Sequence, residues 1–183
     1  LGLFCTFIVQ TLKNMTNITI TQELVKNLFY YKDGFLYRKT NVGKTKIGDL
    51  AGCIMLKDGK KRRVIAVNKK LYYSSRLIFL FHHGYLPEVV DHKDRDTTNE
   101  NIKNLRAATP IQNIRNTQSH IDSVSKYKGV TLKKSTNRWG ANIYSSGKLI
   151  SLGYHKTQEE AALAYNEAAI KFHGEFANLN QVT

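Results

Sequence analysis

About two thirds of the way along the chain, Asn116-Thr117-Gln118-Ser119-His120-Ile121-Asp122-Ser123-Val124-Ser125 is polar and follows neither a helical nor a strand period. Such a stretch has no apolar face to bury and reads as a linker, placed at residues 117–125. The 183 residues are thereby divided into two small units, each with a modest core of its own. A hydrophobic fraction of 42% and an aromatic fraction of 10% place both parts among folded rather than disordered sequences.

Charge narrows the class of partner. The chain carries 28 Lys plus Arg against 14 Asp plus Glu, a formal net charge of +14. Both sides of the linker share the excess: residues 1–122 carry +10 and residues 123–183 carry +4. Excess of this size points to a polyanion, either nucleic acid or an acidic membrane face. A basic surface kept for solubility is the plainer alternative. No apolar run reaches the ~20 residues that span a bilayer. Cys5 and Cys53 form neither a disulfide framework nor a metal-type cluster, which suits a reducing interior. The apolar opening, Leu1 to Val9, is short and lacks a basic flank and a cleavage site. Met15 is expected to be the natural start, with residues 1–14 an extension without a structural role.

Ahead of the linker the pattern is rich in strands. Leu28-Phe29-Tyr30-Tyr31 and Phe35-Leu36-Tyr37 flank Asp33-Gly34, a hairpin signal. Asp58-Gly59 marks a second turn, and Arg63–Val67 and Leu71–Tyr73 flank Asn68-Lys69. Residues 75–83 suit a short helix capped by Ser74 or Ser75 and stopped by Gly84. Lys44, Lys46, Lys57, Lys60, Lys61, Arg62 and Arg63 crowd these hairpins. They are candidate phosphate contacts, with a solvated charged face as the alternative.

Residues 88–116 carry the chemistry. Val89-Val90-Asp91-His92 reads as a strand ending in two metal- or proton-competent groups. A polar loop, Lys93 to Asn101, leads to a return strand at Ile102–Arg106. Thr109, Pro110 and Gln112 then open a helix with a capping box. Strand, loop, strand and helix would bring Asp91, His92 and Asn113 together. A carboxylate and a carboxamide are hard ligands for Mg²⁺ or Mn²⁺, and a neutral imidazole beside them is a suitable general base. One divalent cation, one His and a substrate phosphate suffice to hydrolyse a phosphodiester. The same residues also fit a purely structural hairpin.

Asp91-His92, Asn104-Leu105-Arg106 and Asn113, with His83-Gly84-Tyr85-Leu86-Pro87 upstream, resemble the HNH endonuclease family in its phage and intron-encoded homing branch. The resemblance covers roughly residues 28–116. It implies a ββα-metal fold in which Asp91 and Asn113 bind Mg²⁺ (or Mn²⁺). It also implies that His92 is the general base and that Asn104 pins the loop and orients the imidazole. The third motif position is Asn113 rather than His, which argues against a zinc-preferring site. Ser75 stands where many relatives have His and is assigned no role. Asp94 and Asp96 are expected to cap turns, with assistance to metal binding as the alternative, and His82, His120, His155 and His173 are read as structural.

After the linker come three short strands, Tyr127–Leu132, Arg138–Tyr144 and Leu149–Tyr154, and one helix. Thr157 and Glu160 form a capping box, and Ala161, Ala164, Tyr165, Ala168 and Phe172 make an apolar stripe that Gly174 ends. Trp139, Ala141 and Ile143 share one strand face, so Trp139 is core or partly core. Tyr127-Lys128-Gly129-Val130, Trp139-x-Ala141-x-Ile143, Leu152-Gly153 and Glu160-Ala161-Ala162-x-Ala164-Tyr165 resemble the plant ethylene-response-factor, or APETALA-type, DNA-binding domain. That resemblance implies a DNA face of Lys128, Lys133, Arg138, Asn142 and Tyr144. Thr131, Asn142 and Tyr144 stand where the plant pattern has arginines, so its GC-rich target does not carry over.

The expected architecture is therefore α+β. A β-hairpin region with a ββα-metal nuclease core spans 15–116, and a three-stranded antiparallel sheet packed on one helix spans 126–183. The expected function is metal-dependent hydrolysis of double-stranded DNA by a homing-type endonuclease that nicks one strand per active site. No membrane and no small-molecule cofactor are expected. A monomer is expected, with a dimer as the alternative, in the cytoplasm of a bacterial host and encoded by a phage. The competing readings are a DNA-binding regulator with an inactive nuclease fold and, more weakly, a protein acting on RNA, whose A-form grooves suit the sheet poorly.

Overall fold

The computed structural model describes residues 19–117 and 124–182. The expected start at Met15, the extension 1–14, His120 and most of the linker lie outside the described residues. The fold is mixed α and β with several small antiparallel sheets. By compactness the chain divides between Ala107 and Ala108.

The first unit opens with α1 (Gln22–Leu28), capped by Thr21, whose hydroxyl accepts from the Leu24 N–H at 3.1 Å. The strand-like reading that began at Leu28 had no place for this helix. Its sequence signals are that cap and a short apolar stripe, Leu24, Val25 and Leu28, which packs on the core. β1 (Phe29–Lys32) and β2 (Phe35–Arg38) form the hairpin about Asp33-Gly34, with Tyr30 opposite Tyr37 and their rings stacked. Gly34 adopts a φ of +88°, and a Cβ there would stand 3.3 Å from the Asn101 nitrogen. The turn therefore needs glycine twice over, for conformation and for closeness.

β3 (Cys53–Lys57), β4 (Lys60–Val67) and β5 (Lys70–Tyr73) make an antiparallel sheet with β4 in the centre. α2 (Ser74–His83) follows directly. Its N-cap is Tyr73, without a side-chain cap, rather than Ser74 or Ser75. Both serines lie inside the helix and are buried, while Gly84 ends it in the left-handed conformation. Val25, Phe29, Leu36, Ile65, Val67 and Leu77–Leu80 form one core with Leu105. β6 (Val89–His92) pairs with β7 (Leu105–Ala108). The return strand starts later than the sequence suggests, because Ile102–Asn104 winds into a 3₁₀ turn capped by Asn101.

The second unit begins with α3 (Pro110–Arg115), whose Thr109–Gln112 capping box is formed in both directions. β8 (Val130–Lys133), β9 (Arg138–Ser145) and β10 (Lys148–His155) form an antiparallel sheet in the order β10-β9-β8. The first strand starts three residues after Tyr127, since Gly129 turns with a φ of +75° against the Tyr165 ring, leaving no room for a Cβ. α4 (Gln158–His173) packs on this sheet, with Ala161, Ala162, Tyr165, Ala168 and Ala169 buried against Val130, Ala141 and Ile143. Trp139 is half-buried at the edge of that core. Small alanines let the helix lie close to the strands. Among the described residues, no helix is long and apolar enough to cross a membrane.

Candidate active site and nucleic-acid interface

The β6–β7 hairpin of the first unit presents Asp91 and His92. Asp91 is buried, and Arg106 on β7 meets it with Nε and Nη2 both 2.8 Å from Oδ2. Alternation along β6 sends His92 to the opposite side from Asp91. His92 is partly buried, and its pKa is lowered from the ordinary value chiefly by desolvation. Asp94, Asp91 and Asp96 act to raise it, and Arg62 acts with burial to lower it. The imidazole is thus held neutral at neutral pH, as a proton acceptor must be.

The loop between the strands is held from inside. Asn104 donates through Nδ2 to Asp94 Oδ1 and to the Asn99 carbonyl, both at 2.8 Å, and its Oδ1 accepts from the Asp94 N–H at 3.1 Å. Asp94 also accepts from the Asn99 side chain and the Asp96 N–H, and hydrogen bonds lower its pKa against the effect of burial. Asp96 closes a further turn onto Thr98. Two tethers then fasten the loop to the rest of the unit. The Ile102 N–H donates to the Tyr31 hydroxyl at 3.0 Å, and the Thr97 hydroxyl donates to the Lys61 carbonyl at 2.8 Å.

That second tether sets the basic strand β4 beside the loop. Lys60 and Lys61 are exposed. The Arg62 guanidinium lies 5.4 Å from the Tyr73 ring, and that of Arg63 lies 5.5 Å from Phe35 while donating to the Gly52 carbonyl. Arg63 is therefore fastened into the fold, whereas Arg62 stands in the field of His92.

Sequence reasoning missed two residues here. Arg106 is the partner of Asp91; its signal was the position two residues after Asn104, where a strand returns the side chain to the Asp91 face. Glu100 is buried, and its carboxyl is pushed up to about 7 by burial, against the opposing pull of Ser74, Arg63 and the Ser75 backbone. Only the tertiary packing marks Glu100 out.

Asn113 lies half-buried on α3 in the second unit. The C-terminal carbonyls of that helix are met by Lys128, whose ammonium donates to Arg115 and Thr117 at 2.6 Å and reaches Ile114 at 3.5 Å. Lys128, a residue of the expected DNA face, is thus engaged in closing a helix end. Lys133, Arg138 and Tyr144 are exposed and Asn142 is half-buried. His173 is a structural histidine: its Nε2 lies 2.9 Å from the Tyr144 carbonyl, and burial lowers its pKa. Among the described residues, no three His, Cys, Asp or Glu side chains gather as a metal cage.

The first unit thus presents a carboxylate and an imidazole on one hairpin, and the second unit a small antiparallel sheet backed by a helix. The HNH endonuclease family model matches residues 72–115 and the AP2 domain model matches residues 125–175, so the chain combines an HNH-type segment with an AP2-type domain. An uncharacterised HNH endonuclease of Acanthamoeba polyphaga mimivirus is 38% identical over 93 residues, which is 51% of this chain and 47% of that protein. The APETALA2-like protein 2 of Oryza sativa subsp. indica is 46% identical over 56 residues, 31% of this chain and 13% of its own. The chain thus spans about half of the viral relative and about an eighth of the plant one.

Proposed function

We propose that the protein is a divalent-metal-dependent DNA endonuclease of the homing type, in which the AP2-type module holds the duplex and the HNH-type hairpin hydrolyses a phosphodiester. The observation that carries this reading is the Asp91–His92 pair on one strand, with the first salt-bridged to Arg106 and the second kept neutral by burial. The viral relative is by name an HNH endonuclease, and further plant relatives are by name AP2-like ethylene-responsive transcription factors, which supports DNA as the partner of both parts.

Asp91 and Asn113 would hold the cation. Their donors fit it: both are hard oxygens, and a single carboxylate already balanced by Arg106 favours a well-hydrated Mg²⁺ or Mn²⁺ over a tightly caged zinc. When bound, the cation supplies Lewis-acid neutralisation of phosphate charge. His92 takes the proton of the attacking water as the P–O3′ bond breaks. Asn104 holds the loop that fixes the imidazole. Lys60, Lys61 and Arg62 bind flanking phosphates, while Arg63 supports them from within the fold. One site cuts one strand, so a monomer nicks; two copies are needed for a double break. The compartment is the reducing interior of a host cell, where the exposed Cys53 thiol stays free.

The test is cleavage of mixed genomic DNA in Mg²⁺, with all new ends read by sequencing and His92→Ala run in parallel. New ends that vanish in the variant are expected. Persistent ends in the variant would remove His92 from the chemistry. Absence of ends, with tight salt-sensitive binding retained, would establish the regulator reading instead.

A further inference from the structure

The outer face of the β8–β9–β10 sheet is a grid whose rows are set by strand register. Arg138 lies opposite Lys133, Gly140 between Thr131 and Tyr154, Asn142 opposite Ser151, and Tyr144 opposite Leu149. The inward face of β9 is Trp139, Ala141 and Ile143, which belong to the two cores beneath α4. Gly140 confirms which way the grid points, since a Cβ there would meet the Tyr154 ring at 3.2 Å and the Thr131 hydroxyl at 3.5 Å. Lys133 lies 4.8 Å from the same ring. Tyr144, Leu149 and Tyr154 are exposed at 59%, 69% and 54%, so the face carries large apolar groups in water.

Charge on this unit is sorted by side. Residues 124–157, which include all three strands, hold seven Lys and Arg and no Asp or Glu. The four acidic residues after the linker, Glu159, Glu160, Glu167 and Glu175, all lie on α4 and the turn that follows it. A polyanion is therefore drawn to the strands and repelled by the helix.

A ribbon of strands enters the major groove, where each base pair offers a distinct set of groups. Guanine is read by Arg or Lys on O6 and N7, adenine by an Asn or Gln carboxamide on N6 and N7, and thymine by apolar contact with its methyl group. Cations stand at one end of the grid only, at Arg138 and Lys133. The remaining rows offer a carboxamide at Asn142 and apolar surface at Tyr144 and Leu149. We infer that this face reads A·T base pairs, Asn142 taking adenine and Tyr144 with Leu149 covering thymine methyls, while Arg138 and Lys133 anchor the adjoining backbone. This inference rests on the reading of the sheet as a duplex-binding surface.

The experiment is selection of the full chain on duplexes with a randomised core, in EDTA so that no strand is cut, followed by direct titration of matched A·T and G·C duplexes at one salt concentration. Enrichment of an A·T run is expected, with about tenfold or greater preference per central position, the scale of one good base contact. Asn142→Arg and Leu149→Arg, each checked for unaltered thermal melting, should both shift selection toward guanine. Salt-sensitive binding without A·T preference, or a preference unmoved by both variants, would overturn the assignment while leaving the sheet a duplex binder. Failure to bind any duplex would overturn the duplex-binding reading and this inference with it.

Discussion

Arg106 places two donors, Nε and Nη2, on one oxygen of Asp91, each at 2.8 Å, and both side chains are almost fully buried. A carboxylate withdrawn from water in this way loses hydration, and the guanidinium's two hydrogen bonds offset that loss. Its orientation is then set by the β6–β7 hairpin rather than by solvent. Removing the partner exposes the cost of that arrangement. Arg106→Ala is expected to destabilise the protein by about 3 kcal/mol, because it removes one partner of a buried salt bridge. Asp91→Asn/Arg106→Gln together should recover much of that loss in thermal melts without restoring cleavage. A double variant no more stable than Arg106→Ala would show that the pair does not carry the effect.

Asn104 makes three hydrogen bonds into the loop through one side chain, and no other residue type presents both donor and acceptor at that length with the same shape. Asn104→Asp replaces the donor with a charge facing the Asp94 carboxylate. Cleavage is expected to fall about 100-fold, the scale of a small misplacement of reacting groups, while duplex affinity in EDTA stays near that of the parent. Full activity in Asn104→Asp would free the loop of any positioning role.

The buried Glu100 makes stability depend on pH. Its carboxyl is raised from 4.5 to about 7 in the folded protein. Between those values the folded state holds a proton that the unfolded state releases. Stability from this group is thus complete at pH 4 and is lost as pH rises through 7. Glu100→Gln keeps the neutral form at all pH. It should gain stability over the parent at pH 8, by at most about 3 kcal/mol, and show little difference at pH 4. Chemical denaturation at the two pH values measures this. An equal effect at both would mean that Glu100 does not titrate in that window.

If Arg138 and Lys133 meet phosphates, each should contribute to the salt dependence of binding. Arg138→Ala and Lys133→Ala are expected to flatten the slope of log affinity against log salt by about 0.9 apiece, through loss of one released counterion each. Weaker binding at unchanged slope would assign them to bases or to packing instead.

Some of this protein is written locally. The Asp33-Gly34 turn, the Thr109–Gln112 and Thr157–Glu160 capping boxes and the Gly84 stop are each decided within a few residues, by φ preference and by side chains that reach their own backbone. The HNH and AP2 patterns are legible for the same reason, since they are short runs at fixed spacing. Local signals misled where a distant partner decided the outcome. Ser74 and Ser75 look like caps but are drawn inside α2, where the fold packs them beside buried Glu100, 25 or more residues away in sequence. Lys128 looks like a groove contact, yet the carbonyl end of α3 takes its ammonium. Arg106 was marked only by its place two residues after Asn104, and Glu100 carried no signal of its own, because burial and charge compensation are properties of neighbours brought together by the whole fold. Sequence alone determined the turns, the caps and the two motif-bearing segments. Tertiary structure decided which charges are withdrawn from water and which remain at the surface, since only packing sets the solvation of each group.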